Sequence, residues 1–383
     1  MTVGYRQLLT LTGAKLSSNI SLRWVPFFLV ALSEVFDASV AVMATIIGVS
    51  EMAGLTTLFV RKRLDSGGER QLIVMSLVVS AAAAGVALAG SLVGFSLGFL
   101  LLMIANAHIT VGAHTWLGSR VPYERRGRFI GIFETSWALG LLVGAPLMAL
   151  VISLFGWRAA FVVVAVLSLV AALPTFALSE IPRQESTAGT PATLALTKIA
   201  RLSIGVSATI ALAGLTTIVI VGTWLSDQLG VSTGGIGLVA MAFGFVELVS
   251  AASSAAFSDR LGKRRTMIWA ASSVLLGLVI VNGAGTSLMV GVIGLAVFFY
   301  GFEYGIVTSF SIVSESMPEA RGRAIATNSA VGTMVRGAGA ITSGILYENF
   351  GIAGPTALSG AAGATCLVLL GLLGREREKE SGA

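Results

Sequence analysis

Ionisable side chains interrupt long apolar stretches of this chain, among them Arg23, Glu51, His108 and Glu134 in its first half, and Glu247, Glu303 and Arg336 in its second. An ionisable group at bilayer depth costs several kcal/mol unless it is paired or faces water. A carboxylate there can release a proton when hydrated and regain it when desolvated. The chemistry on offer is reversible protonation and charge recognition of a solute. Glu247 precedes Asp259 by twelve residues, Glu303 precedes Glu315 by twelve, and Arg336 follows Arg323 by thirteen. At about 1.5 Å per helical residue each lies about 18 to 20 Å from its helix end, near the middle of a hydrocarbon layer about 30 Å thick. Glu134 is shallower, about 9 Å beyond Arg128. Asn19 lies one turn before Arg23 and shares its face. His114 sits closer to a helix end than His108 and reads as interfacial.

The elements that must position these residues follow from composition. Hydrophobic residues make up 55% of the chain and charged residues 11%, and the mean hydropathy is +0.89, far from soluble-domain averages. About 20 apolar residues span a bilayer as a helix. Twelve such segments fit, near residues 8–33, 38–60, 71–90, 95–119, 129–153, 158–178, 199–224, 234–258, 266–284, 288–313, 324–346 and 353–374. The expected fold class is an all-α membrane protein. Pro146 should leave a carbonyl unpaired and bend the fifth span, and glycines such as Gly140, Gly144, Gly332, Gly337, Gly339 and Gly344 should let helices approach closely.

Cytoplasmic loops carry an excess of Lys and Arg. With the N-terminus inside, Arg61, Lys62, Arg63, Arg70, Arg120, Arg125, Arg126, Arg128, Arg260, Lys263, Arg264, Arg265, Arg321, Arg323, Arg375, Arg377 and Lys379 all fall on one side, and Arg158 faces the other. The expected arrangement is a multi-pass protein of the cell membrane with both termini cytoplasmic. The net charge of +6 is then a topology signal, and nucleic acid is not an expected partner. No cleavable signal peptide is evident. Cys366 excludes an internal disulfide and reads as a packed or lipid-facing thiol.

Landmarks recur at an offset of about 195 residues. Pro122, Arg126-Gly127-Arg128 and Phe155-Gly156 return as Pro318, Arg321-Gly322-Arg323 and Phe350-Gly351, and Asp65, Gly68 and Arg70 return as Asp259, Gly262 and Arg264. The chain is read as two parallel six-helix bundles, residues 1–178 and 199–383, joined by a cytoplasmic linker at 179–198 rich in Ser, Thr, Gly and Pro.

The segment Asp259-Arg260-Leu261-Gly262-Lys263-Arg264-Arg265 resembles the Asp-Arg-x-Gly-Arg/Lys-Arg signature of the major facilitator superfamily. Its first copy keeps Asp65, Gly68 and Arg70, while Arg61, Ser66 and Glu69 depart from the pattern. Pro318-Glu319-Ala320-Arg321-Gly322-Arg323 fits the same family, and Gly140-x-x-x-Gly144-Ala145-Pro146 looks like a partial antiporter signature. The resemblance implies the major facilitator fold, with the first, fourth, seventh and tenth helices lining a central cavity that would hold Arg23, His108 and Glu303. It also implies that Asp65, Arg70, Asp259, Gly262 and Arg264 form a cytoplasmic latch through ion pairs and helix-end dipoles. The alternative is that the basic residues are topology anchors.

Arg23 with Glu51 reads either as a fixed pair or as a substrate or proton switch, and Glu247 with Arg336 either as mutual neutralisation or as part of the transport path. Four acids against Arg23 and Arg336 would favour cationic or neutral amphipathic solutes, unless burial keeps some acids protonated. Trp24, Phe27, Phe28, Trp137 and the run from Phe298 to Tyr304 could wall a cavity or simply pack. There is no phosphate-binding loop, no zinc or haem spacing and no dinucleotide-binding context, so neither an enzyme nor a cofactor is expected. The expected function is secondary active transport of a small organic solute by alternating access, as a monomer exporting it in exchange for protons. Proton-linked import, facilitated diffusion of a metabolite, and a transporter-like receptor or assembly factor are the alternatives.

Overall fold

In hydrocarbon every backbone N–H and C=O must be satisfied within its own segment, which leaves helices as the solution for apolar spans of this length. The computed structural model describes residues 4–178 and 195–381, and these contain no β-strand. The first span is α1 (Tyr5–Arg23), a 3-10 turn at Val25–Phe28 and α2 (Leu29–Phe36). Pro26, which has no N–H to give, sits in the first positions of that turn. The second is α3 (Val40–Glu51), a nine-residue 3-10 stretch at Met52–Val60 and α4 (Arg61–Asp65). Then follow α5 (Glu69–Ala87), α6 (Leu92–Arg120), α7 (Tyr123–Leu142), α8 (Gly144–Phe155) and α9 (Trp157–Phe176). The break between α7 and α8 lies at Val143, three residues before Pro146, as the missing N–H of a proline requires. The remaining helices are α10 (Lys198–Asp227), α11 (Thr233–Leu261), α12 (Lys263–Gly283), α13 (Leu288–Glu315), α14 (Arg321–Phe350) and α15 (Ala353–Ser381).

Among the described residues eleven helical stretches are long and apolar enough to cross a membrane. The twelfth expected span is α14, thirty residues long and so about 45 Å. Arg321, Arg323, Asn328, Arg336 and Glu348 lower its hydropathy without shortening it.

Two compact units divide the described chain: residues 4–38, 49–178 and 232–244 form one, and residues 39–48, 195–231 and 245–381 the other. Inside the first, α1 packs on α6, α7 and α9, and α5 on α6 and α9. Inside the second, α10 packs on α13, α14 and α15, and α12 on α13 and α15. The neighbours match role for role, as duplicated bundles should. The first and seventh spans are the most buried, at 61% and 67% of their apolar windows, because each is the helix its bundle is built around.

Each unit also takes in a segment that the repeat alone would assign elsewhere. Residues 39–48, the first turns of α3, join the second unit, where Ala41 N–H donates to Glu348 Oε1 at 2.8 Å. A Cβ on Gly48 would stand 2.5 Å from the Gly337 carbonyl oxygen, so no larger residue fits that approach. Residues 232–244 of α11 join the first unit, where Phe27 and Phe243 rings lie 6.5 Å apart.

Candidate functional site

In the first unit the polar face of α1 organises the site. Lys15 is 5% exposed and lies ten residues, about 15 Å, into a membrane-spanning helix. Its Nζ donates to Asn106 Oδ1 at 2.8 Å and to Thr110 Oγ1 at 2.5 Å on α6, and Ser18 Oγ donates to the same Asn106 oxygen at 2.9 Å. One turn on, Asn19 Nδ2 donates to Ser136 Oγ at 3.3 Å on α7. A Cβ on Gly140 would sit 2.7 Å from Asn19 Cβ, so glycine there brings α7 onto this face. Another turn on, Arg23 Nη1 donates to the Trp137 carbonyl at 2.7 Å, and its guanidinium lies 4.0 Å from the Trp137 ring centre, a cation–π stack. Glu134 Oε1 meets His114 Nε2 at 2.7 Å. Thr56 Oγ1 and His108 Nε2 share a hydrogen bond of 3.1 Å, and half-buried Glu51 closes α3 where the 3-10 stretch begins.

The second unit presents acids and hydroxyls instead. Glu247 on α11 is wholly buried and Glu303 on α13 is 7% exposed. Beside them runs a ladder of hydroxyls. Ser250 Oγ donates to the Tyr300 carbonyl at 2.6 Å, and Ser253 Oγ lies 2.9 Å from Tyr300 Oη. Ser254 and Ser258 lie 3.1 and 3.3 Å from Thr308 Oγ1, and Ser258 Oγ donates to Tyr304 Oη at 3.4 Å. These bonds fix α11 against α13 from near the two acids to the Ser258 end of α11. Arg336 on α14 is half-buried.

The loop motif is placed in both copies. Arg70 donates to the Leu178 carbonyl at 3.2 Å and Arg264 to the Leu370 carbonyl at 3.0 Å, tying the third helix of each bundle to its last. Asp259 lies 3.0 Å from Lys263 Nζ, and Lys263 also pairs with Glu315. Gly262 turns from α11 into α12 with φ +88, a conformation that favours glycine. In the first copy the positive φ belongs to Gly67 at +89, one residue earlier, and Asp65 lies 3.8 Å from Arg61. Asp259, Arg260, Gly262, Lys263, Arg264 and Glu315 help line a cleft of about 590 Å³.

Three groups lie outside the sequence expectation. Lys15 was legible only as a basic residue inside the first apolar span, one face with Ser18 and Asn19. With Lys15 counted, four membrane-depth acids face three fixed cations, so the inferred excess of negative charge shrinks to one. His114 has a partner that its reading as interfacial did not supply, Glu134, and both side chains are partly exposed. Glu69, a departure from the motif, is wholly buried and lies 3.3 Å from Arg120 Nη2. Trp24, Phe27, Phe298 and Phe299 are almost fully buried and serve packing. Among the described residues no group of His, Cys, Asp or Glu is arranged to hold a metal ion.

Helices of membrane-spanning length, two units with matching internal packing, and ionisable residues within their spans define a duplicated multi-pass transporter fold. The chain belongs to the Major Facilitator Superfamily, whose family model matches residues 14–213 and 202–383. A stretch of 75 residues is 36% identical to the uncharacterized MFS-type transporter YwfA of Bacillus subtilis (strain 168), covering 20% of this chain and 18% of that protein. Another of 124 residues is 32% identical to the putative niacin/nicotinamide transporter NiaP of the same organism, covering 32% and 31%. These matches thus span less than a third of either relative. Among solved structures, a bacterial homolog of the human lysosomal transporter Spinster, inward-facing and occupied, superposes with a TM-score of 0.77 at 15% identity over 96% of both chains. The D-xylose-proton symporter superposes with a TM-score of 0.77 at 16% identity, covering 96% of this chain and 97% of that one. At such identities the likeness is one of fold.

Proposed function

We propose that the chain is a secondary active transporter of the cell membrane that exports a small organic solute in exchange for protons by alternating access, working as a monomer with both termini cytoplasmic. The observation that carries the reading is the burial of Glu247 and Glu303 on membrane-spanning helices. A carboxylate is retained at such depth at a cost of several kcal/mol, and proton exchange with alternating solvent gives that cost a use. Glu303 is assigned the coupling proton, with Glu247, Arg336, Glu51, His108 and Glu134 as supporting charges of the path. Asp65, Arg70, Asp259, Gly262 and Arg264 are assigned to the latch on the cytoplasmic side.

Uptake with protons is the second reading. The name of the D-xylose-proton symporter neighbour favours it. Proteoliposomes under an imposed pH gradient separate the two, with solute flux and lumenal pH recorded together. Opposed solute and proton movement is expected, parallel movement selects uptake, and no flux across a chemically broad panel rejects transport by this chain. Single cysteines at Ser186 and Ser232, in protein lacking Cys366, should label from opposite faces. Labelling from one face would reject the topology.

A further inference from the structure

We propose that the ammonium of Lys15 receives the anionic end of the solute, and that the solute class is a small organic carboxylate. The proposal rests on the transporter reading above. Lys15 is 95% buried, and both of its hydrogen bonds go to uncharged oxygens, those of Asn106 and Thr110. Among the described residues no carboxylate lies within 4.0 Å of its Nζ. Glu134 acts on it only through space and is itself engaged by His114 at 2.7 Å. A buried ammonium whose hydrogen bonds all go to neutral dipoles is costly in a membrane interior. A purely structural tie between α1 and α6 needs no such charge, since the two N–H donors of a side-chain amide match both hydrogen bonds.

The surroundings fit an anion. An ammonium has three donors, and Lys15 spends two. Ser18 Oγ donates to Asn106 Oδ1 and Thr110 Oγ1 to the Asn106 carbonyl, so both neighbouring hydroxyl protons are committed and the third ammonium proton is the donor left for a carboxylate. The nearest second charge along α1 is again a cation, Arg23, about 12 Å away, so this face repels cationic solutes. A carboxylate bound at Lys15 takes the remaining donor and sets a full negative charge against the ammonium, which the neutral acceptors do not. The corresponding amide lacks the charge and gains little.

Acid and amide pairs of equal shape test this: nicotinate with nicotinamide, benzoate with benzamide, and acetate with acetamide. Each is added to purified protein in detergent up to tens of millimolar, and thermal stabilisation and affinity are measured. At least one acid should raise the unfolding midpoint while its amide does not. Lys15→Met should weaken that acid by at least about tenfold, Lys15→Arg should retain most of the effect, and Glu134→Gln should tighten the acid by removing the nearest negative charge. If Lys15→Met does not fold, Lys15→Gln and Glu134→Gln decide. Equal response to acids and amides, no response to any acid, or acid binding unchanged without the Lys15 charge would each overturn the proposal. Solute flux that is unaltered in Lys15→Met would remove this site and leave the transporter reading standing. Lys15-dependent acid binding without any flux would do the reverse.

Discussion

In the first unit Glu69 opens α5 and pairs with Arg120 at the end of α6, while in the second Lys263 opens α12 and pairs with Glu315 at the end of α13. These positions correspond at the offset of about 195 residues, so one contact is made twice with its charges exchanged. Beside it, Arg70 and Arg264 make the same kind of contact with no exchange, Arg70 on a carbonyl just past the end of α9 and Arg264 on one within α15. Duplication therefore preserves where helix ends touch. The sign of a charge is free to change when its partner changes too. Environment separates the copies, since Glu69 and Arg120 are 0% and 8% exposed and Lys263 and Glu315 are 20% and 47% exposed.

That difference sets the largest expected effect. Removing one partner of a buried pair strands the other charge and costs about 3 to 5 kcal/mol, whereas an exposed pair is worth at most about 1 kcal/mol. Glu69→Ala should therefore lower the unfolding midpoint in detergent far more than Glu315→Ala. The double exchange Glu69→Lys with Arg120→Glu should recover most of the loss, because it installs the charge order of the second copy. Equal losses for Glu69→Ala and Glu315→Ala would break the comparison. Failure of the double exchange would show that burial has fixed the sign of the first pair.

The interiors differ as well. In the first unit α1 itself carries an ammonium, an amide and a guanidinium on its polar face, and the second places two carboxylates beside a ladder of hydroxyls. Under the proposed function, solute charge falls to the first unit and the coupling proton to the second. One pH unit across the membrane is worth about 1.4 kcal/mol per proton and so sustains up to about tenfold accumulation at one proton per solute. Glu303→Gln, a mimic of the protonated acid, should reduce that accumulation to none while solute exchange down its own gradient continues. Lys15→Met should instead depress both. Accumulation that survives in Glu303→Gln reassigns the proton, and Glu247→Gln and Glu134→Gln in the same assay show where it went.

Much of the fold was legible because its causes are local. Apolar length marks the spans, clustered Arg and Lys mark one set of loops, and Pro146 marks the break between α7 and α8. Partners distant in sequence leave no such trace. Lys15 hides because a lysine near the start of a span is expected to extend toward the interface, and nothing nearby announces Asn106 or Thr110. Glu69 was misleading in the motif, since a lost basic position reads as decay until Arg120 is seen beside it. The exchange of residues 39–48 and 232–244 between units depends on close approaches such as Gly48 to Gly337, and a lone glycine does not name its neighbour. The division at 179–198 rests on composition, and residues 179–194 lie outside the described chain.

The smallest expected effect concerns the two aspartates of the loop motif. Asp259 is one of two carboxylates on Lys263, and that lysine ties the end of α11 to the end of α13 through Glu315. Asp65 lies 3.8 Å from Arg61, one turn back in α4, and both side chains are largely exposed. Asp259→Asn keeps the shape and removes one charge, which for a pair of this exposure is worth at most about 1 kcal/mol, or up to about fivefold in a two-state population. Asp65→Asn loses an i,i+4 pair worth about 0.3 to 0.5 kcal/mol and should shift the same population by no more than about twofold. Distance distributions between spin labels on the cytoplasmic ends of the two bundles report the shift, with abundance held equal. More open cytoplasmic distances are expected for Asp259→Asn and a marginal change for Asp65→Asn. The reverse order would mean that the degenerate copy carries the latch. Identical distributions in both variants would leave these residues as charged anchors of topology.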